Sequence, residues 1–183
     1  MLFALLFASA ISVATPTGLV SPQTPLETLE AQIFNAQLSL QERWVAMMKL
    51  VEYPGAQAEV ILEKAAASSD WVLKSGAMVA LKQFNQGKAL VWAHKLLNDR
   101  AMMVRISAIN VIGDLKSKDS ASLLWESLQN PVNFHNGDSL PSRKILSRVL
   151  FQLSEKKEEW VKLSQDKDLD VQKLAQTKLQ QIF

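Results

Sequence analysis

Five segments of this chain can be laid over one another, and that recurrence constrains the fold more than any other feature. Arg43, Lys74, Arg105, Arg143 and Gln172 fall in one column. Three residues later stand Ala46, Ala77, Ala108, Leu146 and Ala175, and four further on Leu50, Leu81, Ile112, Leu150 and Leu179. Steps of three and four place the members of each segment on one helical face. The segments recur at 31, 31, 38 and 29 residues. A period near 30 has room for two helices and a turn. One such pair cannot bury both its faces, so successive pairs must stack.

The helix boundaries can be read from caps and breakers. Thr24-Pro25-Leu26-Glu27 and Ser39-Leu40-Gln41-Glu42 are capping boxes, the first with Pro at the first helical position. They open helices ending near Asn35 and Glu52, and Tyr53-Pro54-Gly55 breaks the chain. Helices follow over 56–67, with Val60, Ile61 and Ala65 inward, then over 71–84, 88–97, 101–115 and 121–129. After an irregular stretch from Asn130 to Asp138 come helices from Pro141 to Leu153, to about Leu163, and from Leu169 to Ile182. Ten helices in five pairs give units of about 25–53, 54–85, 86–116, 117–154 and 155–183.

The best-preserved copy, Leu96-Leu97-Asn98-Asp99 with Val104, Arg105, Ala108 and Ile112, resembles the short HEAT repeat in its form of about thirty residues. That family pairs a turn Asp with an Arg six residues on, in a hydrogen-bonded ladder along the stack. Only Asp99 and Arg105 keep the pair here; Ser68 stands at the matching place before Lys74, and Gln172 replaces the last Arg. The resemblance spans residues 25–183 and implies an all-α fold, a right-handed α-solenoid of about five stacked helical hairpins. It also implies a protein-binding scaffold, with bilin-lyase-like or nucleic-acid-processing members a minority.

In such a stack the second helices line one face. Helices of about 14 residues make it ~21 Å wide, and five units at ~8–10 Å separation make it ~40–50 Å long. Trp44, Met47, Lys74, Met78, Arg105, Ile109 and Arg143 are the candidate contacts on it, since exposed Met and Trp suit an adaptable groove for a helix or peptide. The competing reading packs the Met, Trp and Ile between repeats and lays the cationic stems over apolar surface. The step of 38 marks an insertion of about seven residues in the fourth unit, where Phe134, His135 and Asp138 crowd together. Loops carry contacts more often than scaffolds do, so Phe134 and His135 join the candidates. As a metal or catalytic site the insertion is thin, because the other His is His94 and the chain has no Cys. Trp92, Trp125 and Trp160, on successive first helices, read as core of the outer layer.

Residues 1–20 carry no charge, and Leu2–Ala14 is an apolar run of thirteen, followed by small residues and TPTGLVSPQTP. It reads as a secretory signal peptide over residues 1–14, although no basic residue precedes it. An uncleaved anchor is the rival reading, but the run falls short of the ~20 residues a span needs; a buried helix is the third. Residues 15–24 read as a flexible mature N-terminus. The net charge of +2 argues against nucleic acid, and no nucleophile elbow, phosphate loop or His-Glu-x-x-His occurs. The expectation is therefore an exported, non-enzymatic scaffold of the periplasm or cell envelope. It takes no cofactor, metal or nucleic acid, its partner is another protein or peptide, and it meets a membrane only if the N-terminal run is retained. A cytoplasmic enzyme or enzyme accessory, bilin-lyase-like or nucleic-acid-processing, is the alternative.

Overall fold

A computed structural model describes residues 24–182, so the expected signal peptide and residues 15–23 lie outside it. Ten α-helices make up the described chain: α1 Pro25–Phe34, α2 Leu40–Lys49, α3 Ala56–Ala66, α4 Trp71–Phe84, α5 Gln86–Leu96, α6 Met102–Asp114, α7 Ala121–Leu128, α8 Pro141–Leu153, α9 Lys157–Leu163 and α10 Leu169–Ile182. Both capping boxes form: Thr24 and Ser39 accept from the backbone of Glu27 and Glu42, whose carboxylates return to the cap N–H groups. Asp70 and Asn85 cap α4 and α5 with their side chains.

The helices pack in pairs, α1 with α2, α3 with α4, α5 with α6, α7 with α8 and α9 with α10. Each second helix also packs on the next, α2 on α4, α4 on α6, α6 on α8 and α8 on α10. The small-residue column explains the close approach, since Ala46, Ala77, Ala108 and Ala175 are all buried. At the first crossing Gly76 of α4 faces Met47 and Trp44, and an added Cβ there would meet both. Leu50, Leu81, Ile112 and Leu150 fill the space between layers with no exposed surface. Leu179, in the last unit, is half-buried. Trp160 sits edge-on to Trp125 at 4.9 Å and to Phe151 at 6.2 Å between centroids. Trp125 donates to Ser154 Oγ at 2.9 Å, which satisfies a polar edge in a dry place.

Two local expectations are corrected. Val60 points outward, 61 % exposed, because Ala58, Ile61, Leu62, Ala65 and Ala66 form the buried stripe of α3 and Val60 falls beside it. The stretch expected to be irregular contains an antiparallel pair, β1 (Phe134–His135) and β2 (Asp138–Ser139), with Phe134 opposite Ser139 and His135 opposite Asp138. Asn136 and Gly137 turn it, at φ 52° and 87°. Two consecutive positive φ values are what a tight hairpin requires, and Asn-Gly is the pair that adopts them most readily.

Candidate partner-binding face

The cationic column lies inside the stack. Arg43, Arg105 and Arg143 are buried and Lys74 is half-buried. Each arginine reaches back within its own unit. Arg43 Nε donates to the Ile33 carbonyl at 3.0 Å and Arg143 Nε to the Leu128 carbonyl at 3.1 Å; Arg105 Nη1 donates to the Asp99 and Arg100 carbonyls at 2.8 and 3.1 Å.

Each cation also reaches forward to the turn of the next unit. Arg43 meets Asp70 at 2.7 Å, Lys74 meets Asp99 at 2.5 Å, and Arg143 holds Asp166 through two bonds of 3.1 and 2.6 Å. This corrects the expected pair. The Asp99 carboxylate belongs to Lys74, and Arg105 instead bonds Asn133 Oδ1 at 2.9 Å and Ser142 Oγ at 3.3 Å. Gln172 replaces the cation in the last unit, where the described chain has no further turn to reach.

The acids serve two partners at once. Asp70, Asp99 and Asp166 accept from the backbone N–H of Val72, Ala101 and Asp168 as well as from their cations. Burial alone would push these carboxyls up. The cation and the N–H outweigh it and hold all three below the ordinary carboxylate value. Burial lowers the Arg105 guanidinium from its ordinary value, only partly offset by the charge of Asp99. Because every rung joins the first turn of one second helix to the start of the next, those helices run in the same direction and their N-terminal ends form one edge of the stack.

That geometry sorts the candidate contacts. Met47, Met78 and Ile109 have no exposed surface and cannot touch a partner. A second helix is covered by its own first helix and by a second helix on either side, so the stripe left for solvent is narrower than periodicity suggests. Arg105 and Arg143 are corrected likewise, since their guanidinium groups are spent inside the ladder. Trp44, Lys74 and Phe134 are half-buried and His135 is exposed. Phe134 lies beneath the Arg143 guanidinium at 4.7 Å, while His135 points to solvent. The hairpin therefore separates the aromatic from the imidazole that the sequence crowds together. Beside it is an open cleft of about 380 Å³, lined by Phe134, Asp138, Arg143 and Asp166 among others.

Residues 58–134 match the family model of HEAT repeats. Over that stretch the chain is similar to HEAT repeats. No curated protein sequence matches it. The match covers most of the second unit, the third and the start of the fourth, and the expectation of an all-α repeat architecture holds. Within the stack, periodicity overlooked one set of residues. Leu40, Trp71 and Leu169 are the first residues of α2, α4 and α10, and Met103 is the second of α6. They are 53, 44, 64 and 48 % exposed, an apolar row along the N-terminal edge. The signal was there to find: all precede their column residue (Arg43, Lys74, Arg105 or Gln172) by two or three positions, outside the inward stripe. Among the described residues no group of three or more His, Cys, Asp or Glu could hold a metal ion, and no helix is long and apolar enough to cross a membrane.

Proposed function

We propose that this protein is an exported, non-catalytic scaffold of the periplasm or cell envelope, a right-handed solenoid that holds another protein against the face and edge of its second helices. The single observation that carries the reading is the exposed apolar set of Leu40, Trp71, Met103 and Leu169 at the starts of four of the five second helices, α8 having Pro141 there. Large apolar side chains gathered at four helix starts on one edge give a surface that a partner can bury. The likeness to HEAT repeats, whose members mostly bind proteins, supports the same reading. Trp44 and Lys74 lie on the face behind this row, and the hairpin with Phe134 and His135 stands on the same edge just before α8. A helix or extended segment laid along the edge meets all of them.

A photo-crosslinking amino acid at Trp71 or Met103 tests the surface. In cells, both positions should trap the same protein band, and Val91 on the outer layer, equally exposed, should trap none. Trapping from Val91 alone would assign the partner to the opposite layer. Fractionation with N-terminal sequencing tests export: a cytoplasmic chain beginning at Met1 would end that part of the reading.

A further inference from the structure

We infer that the groove between α8 and α10 takes a carboxylate-bearing segment of the partner, an acidic peptide with an apolar residue beside its Asp or Glu. The inference deepens the scaffold reading and rests on it. The groove encloses about 290 Å³ and is lined by Lys144 and Arg148 on one lip and by Asp170, Lys173 and Leu174 on the other. Its one acid is already taken: Asp170 accepts from Lys144 at 2.8 Å. Arg148 and Lys173 have no carboxylate partner among the described residues, and both are exposed. The groove is left with an uncompensated charge from two cations, and Leu174, half-buried, gives it an apolar floor.

One local feature favours an added anion. Lys144 and Arg148 are four residues apart on one helix, where like charges repel. Several lysines elsewhere in the stack meet carboxylates, as Lys64 does Glu30 and Lys88 does Glu59 and Glu63. A carboxylate seated between Arg148 and Lys173 relieves that repulsion. The groove also continues the second-helix face, so a segment lying along the apolar edge could place its acidic end there.

The test is fluorescence polarisation with a short capped peptide carrying two Glu flanked by Leu, against the same peptide with Gln. The full chain should bind the Glu peptide at least about tenfold more tightly, and the preference should fade with added salt. Arg148→Glu with Lys173→Glu should lose that preference, while Lys116→Glu with Lys118→Glu on a distant turn should keep it; circular dichroism confirms that both fold. Equal binding of the Gln peptide, or full binding by the groove variant, overturns the inference. So does tighter binding of a single-stranded oligonucleotide that the groove variant loses. Cross-linking from Trp71 separates the two readings. A partner trapped from Trp71 by a wild-type chain that shows no Glu preference leaves the scaffold standing without this groove; no partner trapped from Trp71, Met103 or Val91 removes the scaffold itself.

Discussion

Replacing Arg143 by Met removes one rung of the ladder while keeping volume on the helix face. The wild-type guanidinium makes four hydrogen bonds, two to Asp166, one to Ser139 Oγ and one to the Leu128 carbonyl. The side chains of the pair are only 2 and 15 % exposed, so solvent weakens the attraction little. Charge-assisted hydrogen bonds contribute ~1.5–3 kcal/mol each before desolvation is subtracted. Stranding one member of a buried pair costs ~3–5 kcal/mol. Asp166 keeps its bond from the Asp168 N–H, and Met regains some apolar contact, so we expect a net loss of about 3 kcal/mol. Urea unfolding at pH 7 reads this as a fall in midpoint at unchanged slope.

The same variant has a pH signature. Burial pushes the Asp166 carboxyl up, but Arg143 and the Asp168 N–H hold it below its ordinary value. A depressed acid contributes stability that is present above its unfolded value, ~3.9, and lost as pH falls through the folded one. The difference between wild type and variant should therefore be constant from pH 7 to about 5 and shrink below about 4. Arg43→Met is the internal comparison. Asp70 is 32 % exposed, so its rung should cost less, about 1–2 kcal/mol. A loss below ~1 kcal/mol for Arg143→Met at neutral pH, or a gap independent of pH, would refute the ladder as a stabilising device.

Ala108→Leu should overpack the closest approach of the central second helices and cost about 1–3 kcal/mol by thermal or urea unfolding; no effect would contradict the burial of that column. Ser154→Ala leaves the Trp125 indole N–H without its acceptor in a buried place and should cost about 1–2 kcal/mol, with a shift in tryptophan fluorescence as a second readout. Gly137→Ala places a Cβ at φ 87° with no steric neighbour, so it should cost about 1 kcal/mol from backbone strain alone and leave the rest of the stack unchanged in NMR shifts.

What was legible in the sequence was local. The limits of α4 and α8 are those of the periodic segments Trp71–Phe84 and Pro141–Leu153, because caps, Pro and helical spacing act within one turn of where they are written. The ladder was legible only in part. Its cations could be aligned, but the partner of each lies 23 to 28 residues on, in another unit, and is fixed by packing. Asp99 and Arg105, six apart and both polar, offered a nearer and mistaken match. The burial of Met47 and Met78 escaped for a related reason, since a helix wheel does not say how many neighbours a helix has. Asn136-Gly137 was different: the turn chemistry was present in the sequence, and only the brevity of the flanking strands hid it.

The insertion and the irregular rung belong together. In the lengthened fourth unit Asn133 stands where the other rungs have an acid, held by Ser142 at 2.7 Å and anchored to the Ser127 carbonyl at 2.9 Å. Asn133 cannot titrate. The junctions of α2 with α4, α4 with α6 and α8 with α10 each depend on a carboxylate, whereas that of α6 with α8 does not. Acid should therefore loosen the stack unevenly. As pH falls below about 4, the charged rungs are lost and the α6–α8 pair retains its hydrogen bonds. Amide exchange near pH 3, corrected for intrinsic rates, should find α6 and α8 protected longest and α2 and α10 opening first. Uniform loss of protection along the chain would mean that the apolar layers, and not the ladder, set the strength of each junction.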